Sequence, residues 1–263
     1  VEVDGAAYWM SDNGFFRYTG RLESMDCLVE DYVYDDLNTT SNELVYCGIN
    51  NLFGEITWFY CTSGSNVIDR SVTYSYLDST AKRPIWFTNA SSIFPRTTWE
   101  DSAVFGLPHA TQYDADTDTC DTVGNTDGIS IYYEHETGVN YIKGGTSFAV
   151  PASITSGDYD ITQDQREGIS FRGDGEFIMR VSRIIPDFIT QTGNAIVQLD
   201  LRDYPNDAAT SSPLGPFTLT PTTTKVDTRA RARQIALTIS NTAVDSNWKL
   251  GTFRLDVHSG GRR

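Results

Sequence analysis

The sequence is poor in the residues that build metal centres and catalytic dyads. It holds three histidines, His109, His135 and His258, and four cysteines, Cys27, Cys47, Cys61 and Cys120, among 263 residues. No two cysteines form a CxxC pair and none has a histidine at zinc-ligand spacing, which argues against a zinc site. A disulfide between Cys47 and Cys61 is disfavoured by geometry. In a hairpin turning near Asn51 to Gly54, Cys47 faces Trp58 and Cys61 lies about three residues farther along, ~10 Å at strand rise and beyond bridging distance. Free thiols, as in a chain made in a reducing cytoplasm, are expected. Long apolar runs are missing too: clusters such as Ile56 to Cys61 fall far short of the ~20 residues that span a bilayer, so no stable membrane insertion is expected. The chain opens at Val1 with neither an initiator Met nor a signal-peptide pattern, which suggests processing or a piece of something longer.

What is present is acid, aromatic and alternating. The composition is 39% hydrophobic and 12% aromatic, enough for one large core or two modest ones, and hence for two domains at most. The net charge of −15 is unevenly spread. Residues 1–160 carry 24 Asp and Glu against 7 Lys and Arg, a net −17, whereas residues 161–263 carry 11 against 13, a net +2. A uniform nucleic-acid binder does not look like this. An acidic body and an arginine-bearing tail region point to two surfaces with different tasks.

Period-two alternation of β-branched and aromatic residues, punctuated by Gly, Asn and Asp, predicts an all-β fold of short antiparallel strands. The clearest hairpin joins Tyr8-Trp9-Met10 to Phe15-Phe16-Arg17-Tyr18, with Asn13-Gly14 supplying the positive φ values of a tight turn. One helix is expected at about Cys27 to Leu37, capped by Asp26, with Leu28, Val29, Tyr32, Val33 and Leu37 as its apolar stripe. Four strands follow, at Leu44 to Ile49, Glu55 to Cys61, Ser71 to Leu77 and Pro84 to Thr88, and then a second four, at Arg96 to Trp99, His109 to Tyr113, Gly128 to His135 and Val139 to Lys143. Two such units, with Trp58 and Trp99 spaced 41 residues apart, suggest blades of a β-propeller. Propellers close with ~4 to 8 blades, so a partial propeller over residues 1–151 is expected, its missing blades upstream or on another chain. Beyond residue 152, strands at about Ile154 to Asp160, Glu167 to Arg172, Glu176 to Ile185, Ala195 to Asp203, Phe217 to Thr220, Arg231 to Ser240 and Trp248 to Val257, with a turn at Gly173-Asp174-Gly175, predict a β-sandwich over residues 152–263.

Few motifs carry chemistry. Asp114-Ala115-Asp116-Thr117-Asp118 resembles the start of a calcium loop, but Thr119 stands where the turn needs Gly and Asn125 where the loop needs its bidentate Glu, so a solvated loop is expected. In Glu134-His135-Glu136 a strand would place His135 on the face opposite the two acids, against three converging ligands. No Gly-x-Ser-x-Gly turn presents a serine. No metal, cofactor or catalytic residue is assigned, and a non-enzymatic protein is expected. One feature stands out: Arg229, Arg231 and Arg233 alternate with Ala230 and Ala232, lining three guanidinium groups along one strand face. That arrangement suits salt-bridge ladders within the fold or to a subunit, or contact with nucleic acid.

The stretches Arg180-Val181-Ser182-Arg183-Ile184-Ile185-Pro186-Asp187-Phe188, Arg202-Asp203-Tyr204-Pro205, Thr222 to Gln234, Trp248 to Val257 and Gly261-Arg262-Arg263 resemble the C-terminal region of a bacteriophage tail family. Trp58-Phe59-Tyr60 and Tyr133-Glu134-His135-Glu136 are similar to its motifs as well. The family is the tail hub or nozzle, also called packaged DNA stabilisation protein, of short-tailed phages. The resemblance implies a propeller-bearing structural subunit of the virion, made in the host cytoplasm and assembled as a ring, usually of six, below the portal and adaptor. Such a ring continues the DNA channel, helps retain the genome with at most non-specific contact to DNA, and offers docking surfaces for fibres or spikes. Arg180, Arg183 and Arg254, in the resembling stretches, join Arg229, Arg231 and Arg233 as candidate interface residues. The competing reading is a carbohydrate-binding or depolymerase module of a tail spike, since aromatic-rich β-proteins bind sugars on exposed rings.

Overall fold

Where apolar and polar residues alternate, this chain pairs into antiparallel sheets, and nearly all regular structure is β. The computed structural model describes residues 1–90, 95–114, 129–164, 168–170, 177–204 and 213–261. It divides into two compact units, Val1–Gly138 and Val139–Arg263.

The first unit opens with a meander of β1 (Glu2–Val3), β2 (Ala6–Ser11), β3 (Gly14–Tyr18) and β4 (Leu22–Met25), hydrogen-bonded in that order. The β2–β3 hairpin closes on the pair Ser11↔Gly14, so its two loop residues are Asp12 and Asn13. Only Gly14 takes a positive φ there, and Asn13 does not. The helix, α1 (Glu30–Tyr34), is much shorter than Cys27 to Leu37 and has no side-chain cap. Asp26 serves elsewhere: its carbonyl accepts from Trp86 Nε1 at 2.8 Å. Only Val33 of α1 is buried, which is why the apolar stripe does not propagate a longer helix. After a 3-10 segment at Thr39–Leu44 comes the second meander, β5 (Tyr46–Asn50), β6 (Glu55–Tyr60), β7 (Arg70–Ser75) and β8 (Trp86–Asn89), in the expected order. Cys47 does pair with Trp58 across β5 and β6. Gly54 in the connecting turn adopts φ +67°, and a side chain there would collide with Leu77.

The third sheet has three strands, in the order β11 (Ile129–Glu134), β10 (His109–Asp114), β9 (Thr98–Glu100). The fourth strand expected at Val139 to Lys143 leaves this sheet. It forms β12 (Asn140–Lys143), which pairs with β13 (Thr146–Ala149) in the second unit. Asn140 anchors it there, donating from Nδ2 to Asp245 at 2.6 Å and accepting from the Asp245 N–H at 2.8 Å. The structural division therefore falls before this hairpin, at Gly138, instead of near residue 152. The two meanders share one core, which joins Val3, Ala6, Tyr8 and Phe15 to Ile56, Trp58, Tyr60 and Val72, with Val33 of α1. Phe15 is fully buried, with its ring 5.1 Å from Trp58, 4.8 Å from Trp86 and 5.7 Å from Tyr34. Trp99 ties the second sheet to the third. Its indole donates to the Ile49 carbonyl at 2.6 Å and lies so close over Gly48 that a Cβ would come within 2.5 Å of the ring. Trp58 sits on an inner strand and Trp99 on the edge strand β9, so their spacing does not mark equivalent positions. No closed propeller is formed among the described residues.

The second unit continues with β14 (Ala152–Thr155), the pair β15 (Thr162–Asp164) and β16 (Gly168–Ser170), and β17 (Met179–Ile185), β18 (Phe188–Thr192), β19 (Ala195–Arg202), β20 (Leu214–Leu219), β21 (Val226–Ala232), β22 (Gln234–Asn241), β23 (Asn247–Leu250) and β24 (Arg254–Ser259). Its larger sheets are β14-β22-β19-β20 and β21-β17-β24, with β18-β23 beside them. One core draws on both large sheets, Met179, Val181, Ile184, Ala230 and Ala232 from the second and Val197, Leu199, Leu219, Ile235 and Ile239 from the first. The strand expected at Arg231 to Ser240 is two strands. The chain leaves one sheet after Ala232 and enters the other at Gln234, and the Arg233 N–H donates to the Arg202 carbonyl at the crossing. Trp248 to Val257 is likewise broken, at Gly251, whose N–H bonds the Asp187 carbonyl at 2.8 Å. The turn at Gly173-Asp174-Gly175 lies outside the described residues.

Phe15 and Phe16 are adjacent on β3 but face opposite ways, Phe15 into the core and Phe16 onto the half-exposed ring of Trp9. Phe15→Ala should lower unfolding free energy in a denaturant titration by about 3–5 kcal/mol, as expected for a fully buried phenylalanine, and should shift tryptophan emission. Phe16→Ala should cost about 1 kcal/mol or less.

Candidate functional site: an arginine-lined sheet face

Along β21 the buried residues are Thr228, Ala230 and Ala232, and the exposed ones Asp227, Arg229 and Arg231. Small residues turn inward because the core opposite is already filled by large aliphatic side chains, and the pleat then forces the arginines outward. The neighbouring strands repeat the pattern. Arg180 on β17 is exposed and pairs with Arg231 on one side and His258 on the other. Arg183 pairs with Asp227 and Asp256, and Arg254 is exposed on β24. Five of the six candidate arginines thus share the outer face of β21-β17-β24. Arg233 does not, because it occupies the crossing between sheets.

Ion pairs occupy one end of this face. Arg183 donates to Asp227 at 2.9 Å and reaches Asp256 at 3.4 Å, and Lys225 lies 3.1 Å from Asp227. The hydrogen bonds from Arg183 and Lys225 hold the Asp227 carboxyl below its ordinary value, and the Arg183 guanidinium is raised in return. The other end carries Arg180 and Arg229, and neither these nor Arg254, which lies opposite Ile185 at the ion-paired end, makes an ion pair among the described residues. Against six Lys and Arg on this face stand two aspartates. His258, Asp227 and Asp256 were not singled out from the sequence. The same alternation that places Arg254 outward places Asp256 and His258 with it, so the signal was there. Guanidinium groups so arrayed bind carboxylates or phosphates.

The other clusters do not converge. β11 ends at Glu134, so strand alternation stops there and does not put Glu134 and Glu136 on one face. His135 turns inward, its backbone N–H bonded to the Pro108 carbonyl, its Nε2 accepting from Arg96 Nε at 2.9 Å and its ring 4.4 Å from Trp99. Glu136 adopts φ +62° and accepts from Asn50 at 2.8 Å, where burial raises its pKa. Cys27, Cys47 and Cys61 are free thiols. Burial pushes Cys27 up to about 11 and Cys47 up to about 12, so neither is a thiolate at neutral pH. Cys120 and the run from Ala115 to Asp118 lie outside the described residues. Among the described residues no group of three His, Cys, Asp or Glu side chains can hold a metal ion, and no helix is long and apolar enough to cross a membrane. No family model matches the chain, and no curated protein matches it significantly.

Burial and the adjacent Arg96 guanidinium push the His135 imidazole down to about 3. A histidine whose folded value lies below its unfolded value of ~6.5 takes up protons on unfolding. Its neutral packing therefore stabilises the fold above pH ~6.5 and is lost as pH falls toward 3. Glu55 and Glu136, both raised by burial, act in the opposite sense. His135→Gln keeps an acceptor for Arg96 and removes the titration. Denaturant titrations at a series of pH values should show its stability falling less steeply than wild type below pH ~6.5.

Proposed function

We propose that this chain is a structural subunit of a virus particle, a ring-forming component of the tail hub or nozzle of a short-tailed phage. The observation that carries the reading joins sequence to topology. Three of the stretches resembling that family, Arg180 to Phe188, Thr222 to Gln234 and Trp248 to Val257, supply β17, β21 and β24, which are the three strands of the arginine-lined sheet. What these stretches have in common is thus a surface, which suits a part made to dock. The first unit, with 22 Asp and Glu against 6 Lys and Arg, has the charge wanted in a conduit for DNA, because a lining that repels phosphates does not retard the passing strand. On this reading six copies continue the channel below the portal and adaptor, hold back the genome, and present outer surfaces to fibres or spikes.

Electron microscopy of the assembled chain tests the ring directly. Replacing Arg180, Arg229 and Arg254 together by Gln should weaken association measured by sedimentation at least tenfold while leaving the thermal melt unchanged, since losing one partner of a desolvated charge pair costs ~2–5 kcal/mol. Arg233→Gln, at the sheet crossing, should leave association as in wild type. Rings that survive the triple change would remove the arginine face from the interface.

A further inference from the structure

We propose that the arginine face of one copy docks on the acidic surface around α1 of a second copy, in a head-to-tail contact; this rests on the reading of the chain as a ring subunit. Two halves of the chemistry are on the molecule, and each holds charges that no ion pair among the described residues neutralises. On β21-β17-β24, Arg180 lies directly across from Arg231 with His258 on its other side. Arg180, Arg229 and Arg254 have no carboxylate partner among the described residues. A face of this kind is stable when an external anion covers it.

The complementary surface is equally one-sided. Between Arg21 and Arg70 the chain has nine Asp and Glu and no Lys or Arg. Within that span α1 presents Asp31 outward, with Asp35 and Asp36 exposed just beyond it and no basic residue in its last turn. Asp12 is held alongside by the Asn42 side chain at 3.1 Å, next to exposed Glu43. The same stretch exposes Leu28 by 77% and Tyr32 by 49%. An aliphatic and an aromatic side chain among carboxylates is what a guanidinium array engages best, because Arg stacks on rings while its fork takes the acid.

A second copy is a better occupant than nucleic acid for two reasons. The chain carries −15 overall, a field that repels a polyanion at long range. The face also interleaves Asp227 and Asp256 with its arginines, a mixed pattern that sets register against another mixed surface and interrupts a phosphate track. The arginine face and the α1 surface are different patches of one chain, so their contact is heterologous and propagates into a ring when the rotation closes.

Two full-length variants test the pairing. One carries Arg180→Glu and Arg229→Glu, the other Asp31→Arg and Asp35→Arg. All four positions are exposed, and thermal melts check that folding is kept; should either reversal fail to fold, the neutral pairs to Gln and Asn replace it. In sedimentation velocity each variant alone should associate at least ~10-fold more weakly than wild type. Their equal mixture should recover association, since the α1 surface of the first matches the arginine face of the second and the two reversed surfaces match each other with the charges exchanged. Normal assembly of the α1 variant, or a mixture that stays monomeric while wild type forms rings, overturns the pairing and leaves the ring reading standing. A mixture that recovers association, with wild-type filaments that never close, keeps the pairing and removes the ring. Wild type monomeric at every concentration removes both. Salt-dependent binding of duplex DNA lost in the arginine variant, with assembly intact, overturns the proposal in favour of a nucleic-acid face.

Discussion

The second unit depends on one packing constraint, the burial of the inner face of β21-β17-β24 against β14-β22-β19-β20. Met179, Val181, Ile184, Leu199, Leu219 and Ile235 are fully enclosed there, and each large aliphatic side chain so buried contributes about 1.5–3 kcal/mol. The outward arginines follow from this. β21 can meet a crowded core only with Thr228, Ala230 and Ala232, and the residues between them must then face away. The cationic surface is therefore the outer side of a sheet whose inner side is fully enclosed. Substitutions on the outer face should reach association without passing through the fold, whereas those on the inner face cannot be separated from stability.

In the first unit aromatic contacts take the corresponding place. Phe15, Trp58 and Trp86 lock the two meanders together under α1, and Trp99 fastens the third sheet by entering the space left free at Gly48. Behind Trp99 lies His135, kept neutral between a ring and a guanidinium. A protonated imidazole at that distance from Arg96 would repel it with little water to screen the charge. The Glu134-His135-Glu136 run is thus explained as a fold element: its middle residue packs inward and its last reaches Asn50.

Much of this was legible from the residues, and the failures have specific causes. The β5–β8 meander and the Cys47↔Trp58 register could be read because the turn at residues 51–54 fixes how β5 and β6 pair. The helix was overdrawn because Leu28 and Tyr32 have helical spacing with nothing to bury against, so that spacing alone could not sustain it. The fourth strand of the third sheet was misplaced because pairing between distant segments leaves no local trace, and Asn140 finds Asp245 across 105 positions. The division at Arg233 was hidden because its alternation with Ala230 and Ala232 runs on unbroken, with no Gly or Pro to mark the change of sheet. For the same reason Arg233 was grouped with arginines whose surface it does not share. His258, Asp227 and Asp256 escape a pattern of like charge, because the face is built from both signs.

The distribution of charge also constrains what holds copies together on the proposed reading. Complementary charges steer and orient an encounter more than they tighten it, and two chains of −15 repel until their unlike patches face each other. An interface made only of Arg and Asp would loosen with rising salt, which is poorly suited to a particle that must outlast changes of medium. Lasting affinity has to come from apolar area enclosed within the charged rim. On the acidic side the exposed Leu28 and Tyr32 are such an area, and on the basic side the half-buried Ile185, paired with Arg254 at the end of β17, is the corresponding feature. The arginines then set register and exclude the wrong face, while these few side chains supply the residence time.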